Sequence, residues 1–187
     1  MSDLAAVVEA LGRGELVGLP TDTVYGVGCD AFDQQAVRSL FGLKHRPAVK
    51  PIPILIGNLD DATRIGVFDD DALDLVAEHW PGGLTVVVRR RLKLSQWLGD
   101  PTHDSIGLRI PGHGATLDVL RSFGPLAVTS ANRSGEDPAT DDDAARAIFG
   151  DEVSEYLSGV SGGRTPSTVV DLTGAEPRML RAGPVQV

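Results

Sequence analysis

The residues best suited to chemistry cluster between Gln34 and Leu59, a stretch with no Asp or Glu that carries Arg38, Lys44, His45, Arg46 and Lys50 in a protein of net charge −9. Local positive charge against a negative background points to a focused anion site. Pro47 and Pro51 and the apolar run after them hold the loop at both ends, which favours a site over a solvated charge run. Lys44 is a mobile point charge suited to phosphate, and Arg46 offers a planar donor fork. Arg109 is a lone guanidinium in the apolar run Ile106 to Ile110. Such a group needs an anionic partner: either a substrate carboxylate or an internal acid, Asp104 or another. Ser130 and Asn132, in the turn Ser130-Ala131-Asn132-Arg133-Ser134-Gly135, could orient anionic oxygens as neutral donors or could form an ordinary polar turn.

Other motifs fail on inspection. Gly26-x-Gly28-x-x-Ala31 imitates a dinucleotide fingerprint, yet no helix starts on it, and the acid expected about 20 residues on would fall in the acid-free segment. Gly159-x-Ser161-x-Gly163 matches a nucleophile elbow, but Thr165-Pro166 follows where a helix should begin, and no histidine lies beyond His113. No GxxxxGK[ST] loop exists, so any nucleotide is held without one. Cys29 reads as a small buried residue, and a single cysteine excludes a disulfide framework and a cysteine-based zinc site.

The elements that must position these residues follow from periodicity. Ser2 or Asp3 can cap a helix with Leu4, Val7, Val8 and Leu11 on one face, and Asp33 can cap a second with Ala36, Val37, Leu40 and Phe41. A third helix after Asp70 is expected to bury Leu73 and Val76 and to stop at Pro81-Gly82-Gly83. A helix around Leu117 and Leu120 and another capped by Thr140 complete the set. Strands are expected over Leu16 to Leu19, Ile52 to Ile56, Leu84 to Val88, Ile106 to Ile110, Leu126 to Thr129, Val169 to Leu172 and Arg178 to Leu180, with Thr21 to Gly26 a loop or irregular strand. This alternation predicts an α/β fold, one domain over residues 1–187, with an open mixed sheet whose strand-end loops assemble the site.

At 187 residues and 42% hydrophobic content the chain can bury one substantial core. A pI near 4.8 and 5% aromatic residues argue against a nucleic-acid backbone as the main partner, so RNA binding is expected to be weak or absent. There is no signal peptide and no apolar run long enough to span a bilayer, so a cytoplasmic protein with no membrane partner is expected.

Seven segments, in order over almost the whole chain, resemble the YrdC-like family of threonylcarbamoyl-AMP synthases: Pro20-Thr21-Asp22-Thr23-Val24-Tyr25-Gly26, Lys44-His45-Arg46-Pro47 with Pro51, Trp80-Pro81-Gly82-Gly83-Leu84-Thr85, Leu108-Arg109-Ile110-Pro111, Ser130-Ala131-Asn132-x-Ser134-Gly135, Pro166-Ser167-Thr168-Val169-Val170-Asp171 and Leu180-Arg181-Ala182-Gly183. The resemblance implies an open, twisted mixed sheet of YrdC-like (RibB-like) architecture with a concave basic cavity. It implies a nucleotidyltransferase, an L-threonylcarbamoyladenylate synthase that joins L-threonine, bicarbonate and ATP into threonylcarbamoyl-AMP and pyrophosphate, for a downstream complex that modifies tRNA. It places Lys44, Arg46, Ser130 and Asn132 at the reaction centre, Thr21, Arg109 and Ser167 on threonine, and Lys44, Thr85, Ser130 and Arg181 on ATP, with Mg2+ accompanying the nucleotide. His45 and Gly83 depart from the family pattern, which often has Gly and Pro there. No counterpart of the extra C-terminal domain of longer relatives is expected, so closure over substrate would fall to the chain's own loops. Other activities on the same fold are a non-catalytic paralogue binding tRNA or double-stranded RNA, and carbamoyl transfer.

Overall fold

A computed structural model describes residues 3–44, 52–95, 97–100 and 102–187. Its centre is a nine-stranded mixed sheet in the order β7-β1-β2-β6-β3-β5-β4-β8-β9, formed by β1 (Val17–Leu19), β2 (Gly26–Asp30), β3 (Ile54–Leu55), β4 (Leu84–Arg89), β5 (Ser105–Arg109), β6 (Leu126–Ser130), β7 (Glu155–Tyr156), β8 (Thr168–Asp171) and β9 (Arg178–Arg181). Neighbouring strands pair in parallel at β1–β7, β3–β5 and β4–β8 and antiparallel elsewhere.

The helices are α1 (Asp3–Gly12), α2 (Gln34–Leu43), α3 (Leu59–Ile65), α4 (Asp70–His79), α5 (Gly114–Phe123) and α6 (Asp142–Phe149). Four start on side-chain caps: Asp33, Asn58, Asp69 and Asp141 each accept a backbone N–H of the first turn, satisfying donors that have no partner inside the helix. The last helix is thus capped by Asp141 rather than Thr140. In α4 the buried residues are Ala72 and Val76, with Leu73 only half-buried.

The two sheet faces are covered differently, and this difference makes the site. On one face, Val27, Cys29, Ile54, Ile56 and Ala127 pack under α2, α3, α4 and α6. Alternate residues Val17, Leu19, Leu55, Leu126 and Val128 point the other way and meet α1 and α5, as the two-residue period of a strand requires. Those two helices cover that face from β7 and β1 across β2 and β6 to Leu55 of β3. Beyond Leu55 the floor made by β5, β4 and β8 lies open as a concavity of about 480 Å³.

Three elements carry no sequence signal. β2 contains two glycines in five residues, a poor intrinsic strand, but both lie against β6: a Cβ at Gly26 or Gly28 would come within 2.7 Å of a Val128 methyl. The apparent dinucleotide fingerprint is therefore strand packing. α3 and β7 span seven and two residues, too short for periodicity to show. Among the described residues no helix is long and apolar enough to cross a membrane.

Candidate functional site

The open floor is arranged in rungs. At one end Arg109 on β5 and Thr85 on β4 stand beside Ser167 and Arg181. Val169 lies in that same rung; the next in register is Gly107, Val87 and Asp171 with Arg178 opposite, and it opens a polar end that also carries Ser105 and Thr173 and is joined by Asp100 and His103. Arg109 and Ser105 are four residues apart along one strand, about 13 Å. The described lining carries Arg109, Arg178 and Arg181 against Asp100 and Asp171; Arg178 pairs with Asp171 and Arg109 with Asp22, which leaves Arg181 as the lining arginine with no ion pair among the described residues.

Arg109 is only 5% exposed. Its guanidinium donates to the Gly82 carbonyl (2.9 Å), Thr23 Oγ1 (2.9 Å) and Asp22 Oδ1 (2.6 Å). The internal acid is therefore Asp22, not Asp104, which pairs with Arg90 on the far side of the β4–β5 ladder. Burial pulls the Arg109 pKa down, partly offset by Asp22, and Arg181 lowers it further. Thr21 lies 3.0 Å from Thr23, hydroxyl to hydroxyl, and donates to the Val24 carbonyl. Its backbone is braced by the 159–163 loop: Ser161 Oγ accepts Thr21 N–H, and Gly162 N–H donates to the Thr21 carbonyl. The elbow-like GxSxG loop is a strut.

Thr85 and Ser167 bring their hydroxyls to 2.7 Å. Arg181 donates to the Ser167 carbonyl (2.9 Å) and to Ser167 Oγ (3.0 Å). Burial lowers the Arg181 pKa. Thr85, Ser167 and Arg181, assigned by the resemblance to two different substrates, thus form one hydrogen-bonded group.

Lys44, Ser130 and Asn132 form a second group. Lys44 Nζ donates to the Ser130 carbonyl (2.7 Å), to Asn132 Oδ1 (2.9 Å) and to the Asn132 carbonyl, while Ser130 Oγ donates to Asn132 Oδ1 (2.7 Å). Ser130 lines the cavity; Lys44 and Asn132 stand behind it. Here the reading of the turn as side-chain-to-backbone bonding holds alongside its place at the cavity edge. Arg46, with His45, Pro47, Lys50 and Pro51, lies outside the described residues.

Sequence reasoning missed Asp22 and Thr23 as individuals, although both sit in the first matching segment. It also missed the polar end, since Asp100, His103, Asp171 and Arg178 come from three separate segments with no local signature. Gly83 has a structural reason for lacking a side chain: a Cβ there would lie 2.7 Å from Pro184. Cys29 is fully buried, and burial pushes its thiol pKa up, so it is no nucleophile. Among the described residues no group of three His, Cys, Asp or Glu side chains could hold a metal ion.

The family model Sua5_yciO_yrdC, described as telomere recombination, matches residues 9–183. A Mycobacterium tuberculosis protein provisionally named a threonylcarbamoyl-AMP synthase is 44% identical over 184 residues, covering 97% of this chain and 84% of that one. The threonylcarbamoyl-AMP synthase of Yersinia pestis is 34% identical over 177 residues, covering 91% and 92%. Among solved structures, P. abyssi Sua5 complexed with L-threonine superposes with a TM-score of 0.91 at 30% identity, over 96% of this chain and 54% of that one. This chain thus spans about half the length of that protein. E. coli YciO, at 23% identity and a TM-score of 0.88, shares the fold. From the open mixed sheet, the ordered segments and these matches, the chain belongs to the Sua5/YciO/YrdC family.

Proposed function

We propose that this protein is an L-threonylcarbamoyladenylate synthase, a nucleotidyltransferase using L-threonine, bicarbonate and ATP. The observation that carries the reading is the adjacency, on one cavity floor, of the Arg109 fork and the Thr85–Ser167–Arg181 group. A carboxylate-sized site beside a phosphate-suited cation is what joining an amino acid to a nucleotide requires. Relatives bearing that enzyme name and a threonine-bound structure of the same fold support it.

On this reading the threonine carboxylate meets Arg109, and Thr21, Thr23 and Ser167 surround the rest of the amino acid. The threonine amine combines with bicarbonate, releasing water, to give a carbamate. A carbamate oxygen then attacks the α-phosphorus of ATP, the bond to the β-phosphate oxygen breaks, and pyrophosphate leaves. Anions that repel each other must be held together, so the protein's task is placement and charge stabilisation. Arg181 and Thr85 would hold phosphate oxygens, Ser130 would contact the reacting centre with Asn132 orienting it and Lys44, and Lys44 and Arg46 would supply charge there. Magnesium would arrive with the nucleotide. The product would pass, in the cytoplasm, to a complex that modifies tRNA.

Pyrophosphate release from ATP, with threonine and bicarbonate each left out in turn, tests this. Release requiring both is expected. Equal ATP turnover without threonine would reject the assignment.

A further inference from the structure

Asp22 holds a position that the threonine and ATP reading leaves unused. Its Oδ1 accepts from Arg109 (2.6 Å) and from the Gly112 N–H (2.8 Å). Two glycines pack against it: a Cβ at Gly162 would fall 2.7 Å from the Asp22 carbonyl oxygen, and one at Gly112 would lie 3.4 Å from its carboxyl carbon. Two loops thus converge on Asp22 through glycines, and β5 reaches it through Arg109. Thr21 and Thr23 on either side of it line the cavity, and Asp22 itself does not. It touches Arg109 from behind.

The consequence is a difference between two guanidinium groups that share one cavity. Arg109 is neutralised by a fixed carboxylate. Three of its five N–H donors are committed to Gly82, Thr23 and Asp22, which fixes the plane of the fork and leaves two donors. Arg181 bonds only to oxygens of Ser167 and has no acidic partner among the described residues.

We propose that Asp22 is a positioning residue that sorts anions between these two cations. By pairing with Arg109 it leaves a fork of zero net charge, which accepts a singly charged carboxylate through hydrogen bonds. A polyphosphate gains no net attraction there, because its several negative charges would sit close to Asp22. Phosphates are thereby directed to Arg181. Discrimination of this kind, a repulsive group set against the wrong ligand, is achieved without touching the right one. The inference rests on the proposed function for the identity of the two anions.

The test is L-threonine binding by calorimetry, with and without inorganic pyrophosphate, for the wild-type chain, Asp22→Asn and Asp22→Ala. Asparagine keeps an acceptor for Arg109 and Gly112 but removes the charge. Its threonine affinity alone should change by no more than about threefold, since one weakened hydrogen bond is set against the net positive charge gained at the fork. Added pyrophosphate should then weaken threonine binding by about tenfold or more, since like-charge repulsion no longer guards the fork, whereas in wild type it should change it less than about twofold. Alanine also frees the fork and should lose about tenfold in threonine affinity without any pyrophosphate. If Asp22→Ala does not fold, the asparagine variant decides. Equal pyrophosphate sensitivity in wild type and Asp22→Asn overturns the sorting role and leaves the proposed function standing. A wild-type chain that binds no threonine overturns both.

Discussion

The hydroxyls of Thr85 and Ser167, 82 positions apart in sequence, lie 2.7 Å apart, and Ser167 also receives the Arg181 guanidinium. Ser167 is therefore a bridge between two groups that would face different substrates. Ser167→Ala should raise KM for threonine and for ATP together, each by about threefold to tenfold, the range for one net hydrogen bond. Steady-state kinetics with each substrate varied in turn will show this; a rise confined to threonine would reject the bridging role.

Arg109→Gln should raise KM for threonine by about tenfold to a hundredfold, since a charge-assisted contact contributes about 1.5 to 3 kcal/mol. ATP should be little affected. Because Arg109 also holds Asp22, substrate binding and internal pairing are not alternatives, and the variant should melt lower too. Kinetics and a melting curve on the same preparation check both, and an unchanged threonine KM with a lower Tm would leave Arg109 only structural.

Lys44→Ala should reduce turnover by about 10²-fold, the scale for one electrostatic contact at a charge-developing centre. The structure adds a second expectation. Lys44 donates to Ser130 and Asn132, so its loss should also lower the Tm. Lost stability with full turnover would make Lys44 a brace alone. From sequence, Arg46→Ala should match the loss of turnover, and Arg46→Lys should not restore it, because a fork becomes a point charge.

Gly28→Ala should destabilise, because its Cβ would meet the Ala127 carbonyl oxygen at 2.8 Å as well as the Val128 methyl. Overpacking of this kind costs about 1–3 kcal/mol, or roughly 2–4 °C in Tm per kcal/mol for a chain of this size. Gly42→Ala is the control: in α2 its Cβ meets nothing within 4 Å, so helix propensity should raise stability by about 0.5–1 kcal/mol. Thermal melts of both variants should move in opposite directions.

Asp171 gives a pH prediction. Burial raises its pKa, but hydrogen bonds from Thr173 and the Arg178 guanidinium outweigh it, so the folded value lies below the ordinary one. A lowered carboxylate pKa adds stability that is complete above the unfolded value, about 3.9, and disappears as pH falls through the folded value. The Tm gap between wild type and Asp171→Asn should therefore be widest near neutral pH and close below about pH 4. A gap that widens in acid would contradict this.

Periodicity made α1, α2, α4 and α5 legible, because each has an apolar face and a polar one, and Asp33 as the cap of α2 was visible for the same reason. β2 was hidden because its strand character comes from β6 pressing on bare glycines, a tertiary fact. At the site, Thr21, Thr85, Arg109, Ser130, Ser167 and Arg181 all line one cavity, and the ordered segments had marked every one. Asp22 went unremarked because its importance is relational: an aspartate in a polar loop has no meaning until Arg109, 87 positions away, is folded against it.

The strand order has a temporal consequence. β8 and β9, last in sequence, form one edge of the sheet, and they or the turn before them bring Ser167 and Arg181 to Thr85. As the chain emerges from the ribosome, Arg109 and its partner Asp22 are already present while the far wall of the cavity has yet to be synthesised. Contacts of such wide sequence separation form late and slowly. A partial chain ending before β8 lacks Ser167 and Arg181, so on the proposed reading it would be without the group that holds phosphate, and nucleotide binding would report completion of that edge of the sheet.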